Sequence, residues 1–167
     1  MYTSKSNIES LLNKEIANLI KHNNTGLYNL EIKHNVTYSE FLSNKMLIIQ
    51  VIRKGIPYSL FDLIRFNTPF NENDWAKFLD ISTKSLQRYK VTADHHFKPI
   101  HSEKIIEMAE VTQAGLDVFG DIEKFRLWLN TPNYALGNIP PIELLNDSYG
   151  KDLVMTELLH ISHGILI

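Results

Sequence analysis

Apolar residues in this chain recur at spacings of three and four, in short blocks closed by Gly, Pro or Asn. That period is the helical one. The stops are too frequent for one long helix or a coiled coil, so the pattern points to a mainly α protein built from short helices. The first block is residues 1–24, with Ile8, Leu11, Leu12, Ile16, Leu19 and Ile20 on one face and Asn23, Asn24 and Gly26 behind it. Residues 27–37 break the period: Tyr28, Leu30, Ile32 and Val36 alternate with polar residues, as in a short N-terminal strand or extended arm. Ser39–Lys54 reads as one helix, with Phe41, Met46, Ile49 and Ile52 inward and Gly55 as its stop. Pro57 opens another that runs to about Arg65. Beyond the Thr68-Pro69 break the pattern is helical throughout. His101–Phe119 ends at Gly120, Asp121 caps a helix carrying Ile122, Phe125, Trp128 and Leu129, Pro140-Pro141 opens a short helix, and Gly150–His163 is the last.

Several function classes drop out on composition. The 167 residues contain no cysteine, which removes disulfide frameworks, CxxC redox sites and thiolate metal sites. No signal core follows Met1, and the longest apolar run, near 46–52, is far short of the ~20 residues a bilayer span needs. A soluble, cytoplasmic chain without membrane contact is the expectation. His95, His96 and His101 cluster, and His160 and His163 sit three apart with no third ligand at a plausible spacing, so no metal is expected. No phosphate loop and no acid, base or nucleophile constellation is visible. The expectation is therefore a non-enzyme with no cofactor and no small-molecule substrate.

Net charge is −2, unevenly spread. Residues 1–106 carry 14 Lys/Arg against 10 Asp/Glu, and residues 107–167 carry 3 against 9. Such asymmetry suits two different partners, although ordinary surface variation produces it too.

Residues 71–90, NENDWAKFLDISTKSLQRYK, have the steric layout of a helix-turn-helix. Ala76 is small where the second helix crosses, and Trp75, Phe78 and Leu79 face inward. Asp80 occupies the turn position that needs positive φ, Ile81 plugs the turn, Ser82 caps the second helix, and Leu86 and Tyr89 are its buried face. Thr83, Lys84, Gln87 and Arg88 remain outward, with Lys90 behind them. Together with Ser82 they form a candidate DNA reader, since donor-rich side chains suit base edges and phosphates. A plain αα-hairpin with a solvated basic face would use the same residues.

The run from Phe119-Gly120-Asp121 through Trp128-Leu129, Pro132-Asn133, Ala135-Leu136-Gly137, Pro141 and Leu144-Leu145 to Gly150, His160-Ile161 and Gly164 resembles the toxin-binding domain of the Xre/MbcA/ParS antitoxin family. Residues 51–106 look like the Xre-type helix-turn-helix domain that precedes it, so the resemblance covers roughly 45–167. It divides the chain into a variable region over 1–44, an Xre-like helix-turn-helix domain over 45–106 and a toxin-binding domain over 107–167. Asn138 stands where the family often repeats Gly, and His160 where Arg is common. The resemblance implies a RES-domain toxin that consumes NAD as cognate partner, operator DNA as a second partner with autorepression, and self-association or a higher-order complex. It assigns toxin contact to Trp128, Pro132, Asn133, Ala135, Leu136, Gly137, Pro141, Leu144, Leu145, His160 and Gly164. The apolar tail Ile165, Leu166 and Ile167 is implied to reach the toxin's NAD cleft. The rival reading is a stand-alone transcription regulator whose C-terminal domain dimerises.

Overall fold

The computed structural model describes residues 5–23 and 35–164. Among them are ten α-helices, one 3-10 turn and no strand. In chain order these are α1 (Lys5–Asn23), α2 (Tyr38–Ser43), α3 (Lys45–Lys54), α4 (Tyr58–Phe66), α5 (Glu72–Phe78), α6 (Thr83–Val91), α7 (Pro99–Phe119), α8 (Ile122–Leu129), the 3-10 turn Tyr134–Leu136, α9 (Pro141–Leu144) and α10 (Ser148–Ser162). The mainly α expectation holds. The expected strand or arm residues Tyr28, Leu30 and Ile32 lie outside the described residues.

The chain forms two compact units that do not follow chain order. One runs up to Asn67 and takes in Ala93–Glu103; the other is Thr68–Thr92 with everything from Lys104 onward.

In the first unit α1 packs against α2 and α4 and buries Leu12, Ile16 and Ile20. Leu11 stays largely exposed, so the inward stripe is narrower than the apolar pattern predicts. The Tyr38 N–H donates to Asn13 Oδ1 at 2.7 Å, and Thr37 and Glu40 close a capping box at the start of α2. Burial pushes the Tyr38 hydroxyl well above the ordinary tyrosine range.

The single helix expected over Ser39–Lys54 is two. Asn44 ends α2 and caps α3, its backbone extended at φ −99° and ψ 92° and its side chain accepting the Leu47 N–H at 3.1 Å. The break resets the inward face. Leu47, Ile48 and Val51 are buried, whereas Met46 and Ile49, expected inside, are 40% and 39% exposed. An Asn inside an apolar period offers the backbone an alternative to the helical ladder, and here the cap wins.

The segment 93–103 is stitched to this unit by backbone. The Tyr58 N–H donates to His95 O at 2.9 Å and the Phe97 N–H to Ile56 O at 2.8 Å. The buried Ser102 hydroxyl accepts the Ile56 N–H at 2.9 Å and donates to Phe97 O at 3.2 Å. Gly55 permits the approach: at φ +89°, an added Cβ would sit 2.4 Å from Phe97 O.

The second unit has an aromatic and aliphatic core. Phe70, Trp75 and Phe78 pack edge to face, with centroids 5.0–6.0 Å apart. Further along, Ile105, Met108, Val111, Phe125, Leu129, Leu145, Val154 and Leu158 are fully or almost fully buried. Arg126 Nε donates to Pro69 O at 3.1 Å, tying α8 to the segment before α5. Two glycines allow close packing. A Cβ on Gly115 would lie 2.3 Å from the Phe125 ring, and one on Gly150 1.9 Å from Leu144 O. The aromatic anchor of α8 is therefore Phe125, seated over Gly115. Trp128, one turn further on, is half-buried and packs on Phe119 and Phe125 with ring centroids at 5.7 and 6.1 Å.

Candidate functional site

The α5–α6 pair is built by local chemistry. Asn71 and Asp74 form a capping box at the start of α5. Trp75, Phe78 and Leu79 are buried beneath it. The four residues Leu79–Ser82 turn the chain, with Asp80 at φ +50° and the Ile81 N–H donating to Ala76 O at 3.0 Å. Asp tolerates the left-handed region better than most L-residues, which is why it stands in for glycine. The Ser82 hydroxyl accepts the Ser85 N–H at 3.0 Å and starts α6. Leu86 is buried and Tyr89 half-buried, so the inner face of α6 is shallower at its end.

The predicted readers separate in character. Lys84, Gln87, Arg88 and Lys90 are exposed on α6, whereas Thr83 is half-buried. Ser82 spends its hydroxyl on the cap and on Ser85 Oγ at 3.0 Å. The Arg88 guanidinium sits 5.7 Å from the Tyr89 ring centroid, a cation–π contact that fixes its stem. Three cations and no acid lie on this nine-residue helix.

The expected toxin-contact residues divide likewise. Asn133 organises its loop: its side chain accepts the Ala135 N–H at 2.8 Å and its carbonyl the Asn138 N–H at 2.8 Å. Gly137 at φ +74° and Asn138 at φ +60° are consecutive left-handed residues. A second glycine is replaced by Asn at little cost there, because Asn enters that region readily. Pro132, Ala135 and Gly137 are exposed and Leu136 half-buried. Pro141 and Leu145 are buried, and Leu144 carries the carbonyl against which Gly150 packs. These residues shape the unit from inside. Lys104 Nζ donates to Leu145 O at 3.3 Å and pairs with Glu107 at 2.8 Å. His160 lies 3.5 Å from Glu157, and Gly164 ends the helix at φ +69°. Ile165, Leu166 and Ile167 lie outside the described residues. Missed by the motif were the exposed Tyr134, Tyr149, Leu153 and Leu159. Periodicity marks apolar residues but does not say which are left outside.

Among the described residues no group of three His, Cys, Asp or Glu could hold a metal, and no helix is long and apolar enough to cross a membrane.

Residues 114–164 match the model of the antitoxin Xre/MbcA/ParS C-terminal toxin-binding domain. Over 124 residues, 74% of this chain and 83% of the relative, the sequence is 28% identical to Antitoxin Xre of Yersinia enterocolitica serotype O:8 / biotype 1B. The similarity gives residues 114–164 the character of an Xre/MbcA/ParS-type toxin-binding domain.

Proposed function

We propose that this chain is a type II antitoxin that binds a RES-domain toxin through residues 107–167, keeps NAD from the toxin's pocket, and represses its own operon by reading DNA with a helix-turn-helix formed by α5 and α6. It works in the cytoplasm and has no catalytic part in this scheme; it occupies the toxin and the operator. The carrying observation is the pairing, in one chain, of the 114–164 match with a capped helix whose exposed polar residues are Lys84, Gln87, Arg88 and Lys90. Toxin contact and DNA contact make different demands, which an acidic stretch over 107–167 and a cationic helix would meet separately.

Co-expression with the RES-domain product of the neighbouring reading frame tests the first part. Growth and cellular NAD should fall with the toxin alone and recover with both. A gel shift on the upstream promoter tests the second. A chain that shifts the promoter but leaves NAD consumption untouched would be a stand-alone regulator, and the antitoxin reading would fall.

A further inference from the structure

The ends of α7 and α10 leave between them a groove of about 400 Å3. Ala114 and Val118 on α7 and Met155, Leu158 and Leu159 on α10 supply its apolar walls. Asp117 is the one ionisable side chain among its described lining residues. The groove lies wholly within the second unit and wholly within residues 114–164, the stretch that matches a toxin-binding domain.

Beside the groove the outer face of α10 continues the same surface. Tyr149, Leu153, Thr156 and His160 recur at spacings of four, three and four, which stacks them on one helical face. Tyr149 is 87% exposed, Leu153 54% and Leu159 55%. No Lys, Arg or Glu is exposed anywhere on this helix: Lys151 is drawn to Glu110 at 3.2 Å, and Glu157 lies against His160. Asp152 is its only exposed carboxylate. A solvated helix face normally carries Lys and Glu, whereas the centre of a protein interface is depleted of them and enriched in Tyr and Met. Single exposed apolar residues need no explanation, but a ridge continuous with an apolar groove does.

Charge narrows the occupant. Residues 107–167 hold 3 cations against 9 carboxylates. Two of those cations, Arg126 and Lys151, are paired with Glu123 and Glu110. Asp117 lies in the groove and Asp152 one turn from Met155, so acid flanks an apolar slot.

We propose that this α7–α10 groove is where the toxin docks, receiving an apolar segment of the toxin that has Lys or Arg beside it, with the cations facing Asp117 and Asp152. This rests on the antitoxin reading above. The binding mode is a segment laid between two helices, with apolar side chains giving affinity and the flanking charges giving register.

The test is a calorimetric titration of the full chain with the RES-domain protein of the neighbouring reading frame, using Leu159→Glu, Asp117→Lys and, as a reference outside the groove, Leu127→Glu. All three sites are exposed, so thermal melts should match wild type. Leu159→Glu should weaken binding ~30-fold, the size of a central contact. Asp117→Lys should weaken it ~10-fold, with most of that difference lost at high salt. Leu127→Glu should bind as wild type. Unchanged affinity in both groove variants, with wild type binding the toxin, overturns the groove and leaves the antitoxin reading standing. A wild-type chain that does not bind the toxin removes that reading and the groove with it. If Leu159→Glu instead lowers the sedimentation mass of the chain alone while toxin affinity holds, a second copy is the occupant and the proposal is overturned. Should Leu159→Glu fail to fold, Asp117→Lys and its salt dependence decide alone.

Discussion

Helices α6 and α10 belong to the same compact unit and expose opposite chemistry. The outward residues of α6 are Lys84, Gln87, Arg88, Lys90 and Val91; those of α10 are led by Tyr149, Leu153 and Leu159, with one carboxylate. Each helix is capped by its own side chain, Ser82 or Asp147, and each buries a short stripe, Leu86 in one and Val154 and Leu158 in the other. Folding therefore explains their inner faces and does not account for their outer ones. A cationic donor-rich face would suit phosphate and base edges, where water remains between contacts. An apolar face without lysines is shaped for a surface that excludes water. The match to a toxin-binding domain speaks to the second face and is silent on the first, since it begins at residue 114, past α6.

The variant with the largest expected effect removes both faces together. Phe125 is fully buried, and its ring fills the space over Gly115. Phe125→Ala should cost ~3–5 kcal/mol through lost transfer energy and a cavity. Because α5 and α6 fall in the same unit, promoter binding and toxin binding should decline together, followed by urea melts and both binding assays. Promoter binding that survives at full strength would mean that α5–α6 holds its shape without the α8 core, and the common support would be refuted.

The difference between local and distant causes also decides what the sequence made legible. The turn at Asp80, the caps at Ser82, Asp121 and Asn133, and the left-handed Gly137 all depend on residues within four positions, and each reads directly from the chain. The break at Asn44 does not, because apolar spacing runs on through it and only the cap geometry reveals the new face. Phe125 and Trp128 are both aromatic and three apart, and nothing local ranks them. Gly115, ten residues before Phe125, makes room for one ring and not the other. The groove was least legible of all, since its walls are some forty residues apart in the chain and appear only when α7 and α10 pack.

Next in size is a change that should separate the faces. Lys84→Ala and Arg88→Ala remove the exposed cations of the first two turns of α6 while leaving Leu86 in place. If each makes a bidentate base contact, each should cost ~1–3 kcal/mol of operator affinity. If either meets only phosphate, its loss should be uniform over sequences and should lower the salt slope by about 1. Toxin affinity should not move. A gel-shift titration at several salt concentrations distinguishes the cases, and an unchanged double variant would show that α6 is a solvated face and not a reader.

Trp128→Ala should be smaller than Phe125→Ala. The indole is half-buried against Phe119 and Phe125, so roughly 100 Å2 of apolar surface at ~25 cal/mol per Å2 gives about 2.5 kcal/mol. Comparison of the two urea midpoints is the check. A Trp128 loss equal to that of Phe125 would make Trp128 an equal anchor of α8 and make its role in toxin contact inseparable from folding.

The smallest effect belongs to the turn that aims α6. Asp80 sits at φ +50°, where a Cβ normally costs ~1–2 kcal/mol and Asp less than most. Asp80→Gly removes that strain but gives the unfolded chain more freedom, worth ~0.4–1 kcal/mol in the opposite direction. The two nearly cancel, so stability should stay within about 0.5 kcal/mol of wild type. Asp80→Val has no such compensation, because a β-branched residue is a poor occupant of the left-handed region. It should lose ~1–2 kcal/mol, or flatten the turn and break the Ile81-to-Ala76 hydrogen bond. Since that turn sets the direction of α6 alone, Asp80→Val should weaken promoter binding more than toxin binding at a temperature where both proteins are folded. Equal loss at both sites would mean that strain in this turn is felt across the unit, and the contrast between α6 and α10 would then lie in their surface chemistry and not in any separate control of their positions.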